Sequence, residues 1–194
     1  NGFEGYLTKT IAPDSKLVID TFNYHLNIMC SHDPESYNYI INWMAHLLQF
    51  PADKGKCGVT LVFRSPQGTG KNILWEFFGE YIIGMRYYKY FNRMEQLMKN
   101  FNAIMENSIF WLLDEVASFG GGNKDNDYLK SLTTQKTYHL EKKGLDPELR
   151  TNYSRSVILT NNGWPVKVEK SDRRNACFEV SDEKIGKKEY VDDF

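Results

Sequence analysis

No apolar run in this sequence approaches the roughly 18 residues needed to cross a bilayer, and no signal peptide opens the chain. Cysteine is scarce: Cys30, Cys57 and Cys177 are odd in number, far apart and form no C-x-x-C pair. That excludes a disulfide framework and fits a reduced, intracellular setting, with the thiols as small core residues. The histidines, His25, His32, His46 and His139, lack metal-ligand spacing, so no zinc centre is expected and each reads as structural or solvated. Charge of one sign is also missing. A formal net charge of -1 argues against broad electrostatic adhesion to duplex DNA or an anionic membrane, but leaves room for a local lysine cluster on a channel wall. There are no internal repeats.

What is present describes an ordinary globular domain, with 194 residues, 41% hydrophobic and 25% charged, enough for one full core and a small appendage. The first residue is Asn1 rather than Met, which suggests a piece of a longer polypeptide. Residues 1 to 14 read as a linker. Helical periodicity follows from Lys16 to Met29 and again from Tyr37 to Gln49, stopping at Phe50-Pro51. The pattern then changes. Gly58 to Phe63, Ile109 to Leu113, Ser156 to Thr160 and Ala176 to Val180 are short β-branched or apolar runs of the kind found in strands buried on both faces. Tyr87 to Phe91 reads as a further, aromatic strand or as helix-packing surface. Asn72 to Ile83, Arg93 to Met105 and residues 125 to 135 read as helices, with a Gly120-Gly121-Gly122 loop before the last. Thr137 to Arg150 reads as a hairpin. Strands alternating with helices predict an α/β core with a largely parallel sheet.

Two segments carry chemistry. Between the first strand and its helix lies Ser65-Pro66-Gln67-Gly68-Thr69-Gly70-Lys71-Asn72. Glycine there lets consecutive backbone N–H groups curl toward phosphate oxygens, and the helix adds its positive end to the same anion. Lys71 is then the residue to reach the β- and γ-phosphates. The segment departs from the usual phosphate loop twice, with Ser65 in place of the opening glycine and Asn72 in place of the Ser or Thr after the lysine. An amide oxygen can still bind magnesium or its water. Further on, Ile109 to Leu113 runs into Asp114-Glu115. Two acids at the end of a buried strand are what a magnesium-nucleotide site needs: Asp114 for the hydrated metal, Glu115 for the attacking water.

The ordered set Ser65 to Asn72, Trp111-Leu112-Leu113-Asp114-Glu115, Ile158-Leu159-Thr160-Asn161-Asn162 and Asp172-Arg173-Arg174 resembles superfamily 3 helicases, in particular the helicase part of poxvirus-type and phage primase–helicases. The resemblance covers roughly residues 55 to 182. It implies a P-loop, AAA+-like ATPase core over 55–182, preceded by a linker and helical subdomain over 1–54 and followed by a tail over 183–194. It implies ATP held by Gln67, Gly68, Thr69, Gly70, Lys71 and Asn72, magnesium held by Asn72 and Asp114, and Glu115 as the catalytic base. Asn162 takes the role of γ-phosphate sensor, with Asn161 the alternative. Arg174, four residues before Phe178, is the preferred arginine finger offered to a neighbouring subunit, and Arg173 the alternative. Lys142 and Lys143 would sit at the tip of a channel-facing hairpin on single-stranded DNA, with His139 and Tyr138 against a base. Lys142-Lys143-Gly144 also reads as an ordinary exposed turn. The resemblance further implies a homo-oligomer, a hexameric ring, with an attached primase domain, at work in a virus- or phage-infected cell. Two rivals stay open on the residues alone: a P-loop kinase of a small molecule, and a module that binds nucleotide without hydrolysing it.

Overall fold

The computed structural model describes residues 15–53, 58–98, 103–115, 128, 131–161 and 174–185. Two helices come first, α1 (Ser15–Met29) and α2 (Pro34–Gln49). The second begins three residues earlier than periodicity alone indicates, because Asp33 caps it. The Asp33 carboxylate accepts the Ser36 N–H at 2.9 Å, and Pro34 occupies the first turn, where its missing N–H costs nothing. Ile40, Trp43, Met44 and Leu47 of α2 fall on one face, and all are buried.

Then come β1 (Thr60–Arg64), α3 (Lys71–Phe77), β2 (Tyr88–Phe91), α4 (Met94–Met98), β3 (Phe110–Asp114), β4 (Thr137–Leu140), β5 (Glu148–Thr151), β6 (Arg155–Thr160) and β7 (Asn175–Glu179). Among the described residues five strands make one sheet in the order β2-β3-β6-β1-β7, and every pairing within it is parallel. The expectation of an α/β fold with a mostly parallel sheet is met. Strand alternation divides the core in two. Leu61, Phe63, Phe110, Leu112, Val157 and Leu159 face α1, α2 and α3. Val62, Trp111, Leu113 and Ile158 face the opposite layer, with Leu97 and Leu132. Both faces are therefore covered, which is why these strands read as unbroken apolar runs.

The predicted helix over 72–83 is α-helical only to Phe77. From Phe78 to Gly84 it widens to a π-helix, with Phe78, Gly79 and Ile83 buried. Gly79 lies hard against the Tyr88 ring; a methyl group there would stand 2.5 Å from two ring carbons. The stretch expected to be helical over 93–105 is α4 plus a single 3-10 turn at Ala103–Met105, with 99–102 outside the described residues. The Gly120 to Gly122 loop and much of the helix expected at 125–135 also lie outside them; Tyr128 and residues 131–134 are helical. β4 and β5 pair antiparallel from Thr137↔Thr151 to Leu140↔Glu148, as the hairpin reading requires, and Gly144 turns the tip at φ +79.

The two N-terminal helices share a core with the sheet. Trp43 of α2 meets Trp75 of α3 edge-on at 6.2 Å and Phe110 of β3 at 6.3 Å, while its indole N–H donates to the Val59 carbonyl at 2.8 Å. The end of α2 is locked from below by Arg155. This arginine is 2% exposed and donates to the carbonyls of Phe50 (3.0 Å) and Asp53 (2.6 Å) and to the ring Nδ1 of His46 (3.2 Å). A cation at a helix carboxyl end meets the negative pole of the backbone dipoles. Arg155→Leu takes the donor away from these half-buried carbonyls and is expected to cost about 3 kcal/mol. Urea unfolding checks it: the midpoint should fall with the slope unchanged.

Candidate active site at the carboxyl ends of the central strands

Parallel pairing brings the ends of β3, β6 and β1 level. The Glu115 N–H donates to the Leu159 carbonyl at 2.9 Å, and the Ser65 N–H to the Thr160 carbonyl at 3.2 Å. The segments that leave these strands therefore start side by side, at residues 65–70, 114–115 and 161. In open α/β sheets such a crevice outside the strand ends is where ligands bind.

The first loop is closed at its base by its own side chains. Ser65, which stands where a phosphate loop usually opens with glycine, is buried, and its hydroxyl lies 2.7 Å from that of buried Thr69. The departure from the pattern thus has a structural use: the hydroxyl pair spans the loop. Gly68 (φ +86) and Gly70 (φ +80) take left-handed backbone conformations that side chains rarely adopt, and Gly70 precedes the first turn of α3. The Gly70 carbonyl accepts the Ile73 N–H at 3.1 Å and faces the Nε2 of His25 on α1 at 3.0 Å. A carbonyl only accepts, so Nε2 carries the proton.

Lys71 is 4% exposed, and its ammonium donates to the Asn161 side-chain oxygen. Burial holds it below its ordinary pKa, while the nearby charges of Glu115 and Asp114 oppose that shift. Asn72 donates its amide to Asp114 Oδ2 at 2.6 Å, and the Tyr90 hydroxyl donates to the same oxygen at 2.7 Å. Burial first, then the bond to Asp114 and the charges of Asp114 and Glu76, push the Tyr90 phenol upward, so it remains a donor. Asp114 is consequently fixed by two neighbours from two elements. Glu115 follows it at φ +55, an uncommon conformation for a residue with a side chain and one that accumulates at functional sites.

The structure therefore brings together Lys71, Asn72, Asp114, Glu115 and Asn161. Asn162, the preferred sensor, and Arg173 lie outside the described residues. Arg174 is exposed and just precedes β7, where its carbonyl accepts the Thr60 N–H at 2.9 Å. That is the far end of the strands, about 16 Å from the 65–70 loop at five residues of strand, so Arg174 does not belong to the cluster formed by its own chain. The hairpin also stands at that far end, since Asn152 at its base leads directly into β6 and donates to the Lys136 carbonyl at 2.8 Å. Lys142 is paired with Glu106 at 2.7 Å, whereas Lys143 and His139 are exposed.

Sequence reasoning passed over His25 and Tyr90. Neither carries a local signal: His25 lies 45 positions from its partner, and Tyr90 sits in a run of aromatic residues of which Tyr88 and Phe91 are core. Burial lowers the pKa of His25 from its ordinary 6.5 to about 4, partly offset by the bond to Gly70. The folded protein then binds this proton less readily than the unfolded chain. Its contribution is full above pH 6.5 and falls as pH drops toward 4. Between pH 7 and 5 wild type is expected to lose roughly 2 kcal/mol more stability than His25→Gln, measured by urea unfolding at each pH.

The comparisons with known proteins agree with this architecture. A DNA primase-polymerase of Nitratiruptor phage NrS-1 is 28% identical over 161 residues, covering 82% of this chain and 22% of that protein. The chain thus spans about a fifth of its relative's length. The apo structure of the NrS-1 C-terminal region superposes with a TM-score of 0.75 at 23% identity, over 98% of this chain and 44% of that one. Its A form gives 0.72 at 23%, over 92% and 40%. These are likenesses of fold. Residues 63–174, more than half of the chain and the stretch that holds all three segments, match the family of unknown function DUF5906, and the chain belongs to that family.

Proposed function

We propose that this chain is the ATP-hydrolysing motor of a DNA helicase that serves phage replication. The carrying observation is the convergence of three segments distant in sequence: Lys71 on Asn161 and Asn72 on Asp114, at level strand ends. A strand order with the phosphate-loop strand second from one edge and the acidic strand two places further in suits the AAA+-like ATPase core that the motifs imply. Similarity to a phage DNA primase-polymerase supports the replication setting.

In this reading the backbone of Gln67 to Gly70 wraps the phosphates, and Lys71 exchanges its bond with Asn161 for one with the β- and γ-oxygens. Among the described residues no three His, Cys, Asp or Glu gather to hold a metal. Magnesium suits such a sparse site, because it keeps several waters and takes one or two protein oxygens; Asp114, held by Asn72 and Tyr90, is the carboxylate for it, with the Asn72 amide oxygen available beside it. When bound, the ion neutralises charge on the transferring phosphoryl group. Glu115 accepts the proton of the attacking water. Asn161, or Asn162 next to it, has an amide that can bond the γ-phosphate and that water together. Arg174 completes the site of a neighbouring subunit, which accounts for its place at the opposite end of the strands and implies a ring. Lys143, with Lys142 once released from Glu106, follows the phosphates of single-stranded DNA, and His139 lies against a base.

Steady-state ATP hydrolysis, with and without single-stranded DNA and across protein concentration, tests this. Stimulation by DNA and a steep rise with concentration are expected. Flat curves in both dimensions would replace the motor with a kinase of small molecules, and tight binding without turnover would replace it with a passive module. Glu115→Gln should keep nucleotide binding and lower turnover roughly 10²- to 10⁴-fold. Arg174→Ala should also bind ATP yet hydrolyse it roughly 10³-fold more slowly; near-normal turnover would remove Arg174 from the mechanism.

A further inference from the structure

The N-terminal helix α1 reaches the proposed phosphate loop through one side chain. His25 is fully buried, its Nε2–H pointing at the Gly70 carbonyl across 3.0 Å. Alongside it, Phe22 and Phe77 bring α1 and α3 together at 6.2 Å between ring centroids. A trans peptide is planar, with its carbonyl and the following N–H pointing in opposite directions. Whatever holds the Gly70 carbonyl toward α1 therefore aims the Lys71 N–H the other way. Gly70 is the residue that needs such a hold. At φ +80 without a side chain, it shares with Gly68 the widest choice of backbone conformations in the loop, and besides His25 its carbonyl is held by the Ile73 N–H at 3.1 Å.

We infer that His25 is a positioning residue for phosphate binding: its ring N–H fixes the Gly70–Lys71 peptide so that the Lys71 N–H is presented to the anion before the nucleotide arrives. This rests on the reading of residues 65–72 as a phosphate loop and adds to it a residue from outside the motif. A loop already ordered in the binding conformation loses less freedom on binding, and that saving appears as affinity. Burial keeps the ring neutral at physiological pH. With Nε2–H as the donor, the tether carries no charge that could draw the anion away from Lys71. The donor position is also specific. A glutamine amide nitrogen can occupy nearly the place of Nε2, whereas leucine fills the volume and donates nothing.

The test measures the affinity of a fluorescent ATP analogue with magnesium for wild type, His25→Leu, His25→Gln and Lys71→Ala, with circular dichroism on each to confirm folding. His25→Leu is expected to bind about five- to tenfold more weakly, the worth of one buried hydrogen bond, and His25→Gln to recover most of that loss. Equal affinity of His25→Leu and wild type, or a glutamine variant as weak as the leucine one, overturns the role of His25 while leaving the phosphate loop intact. Failure of wild type to bind the analogue, or of Lys71→Ala to weaken it, overturns the phosphate-loop reading itself. Should His25→Leu not fold, ring 15N resonances of His25 in wild type decide: an Nε2-protonated tautomer whose resonance moves on adding the analogue is expected, and an Nδ1-protonated ring or an unmoved resonance defeats the inference.

Discussion

Everything in the site depends on the parallel registration of β3, β6 and β1. Because Asp114 pairs with Leu159, and Arg64 with Thr160, the three strands finish at one level and the segments that leave them start side by side. Parallel strands cannot be joined by tight turns. The chain therefore leaves β1, β3 and β6 on the same side of the sheet, and Ser65, Asp114, Glu115 and Asn161 collect on one rim. A shift of one residue in any of these ladders would turn the inner face of a strand outward and carry Asp114 away from Asn72.

Around that rim the protein keeps charges where burial alone would not put them. Lys71 is nearly inaccessible and Asp114 is half-buried, yet each has a polar neighbour at hydrogen-bonding distance. Buried charge is costly unless paired and hydrogen-bonded, so a cluster of this kind tends to persist for chemistry rather than for stability. The left-handed backbone at Glu115 points the same way, since local strain is tolerated where function requires it. The opposite end of the sheet is built differently: Arg155 satisfies carbonyls at the end of α2, and the hairpin packs Tyr138 against the core while β5 is exposed along its length.

Much of the fold was legible in the chain. Leu61 to Phe63, Phe110 to Leu113 and Val157 to Leu159 are continuous apolar stretches because both faces of the sheet are covered, and such stretches announce buried strands. The Ser65 to Asn72 segment and the Asp114-Glu115 pair stood out for a different reason: glycines, a lysine and paired acids recur there at fixed local spacing. The π-helical turn at Phe78–Gly84 was not legible, because it depends on Gly79 meeting the Tyr88 ring, a contact between residues on separate elements. The early start of α2 was within reach, since Asp33 followed by Pro34 is a recognisable cap.

The sequence by itself determined where the buried strands and the first two helices form and which residue types stand at the strand ends, since periodicity and turn chemistry act over a few neighbours. Only the tertiary structure decided that Lys71 meets Asn161, that Tyr90 and Asn72 share one oxygen of Asp114, that His25 faces Gly70, and that Arg174 stands at the opposite end of the strands from Lys71. Each of these follows from strand order and from how helices pack on the sheet. Those are set by the burial of apolar surface across the whole chain, and no local pattern contains them.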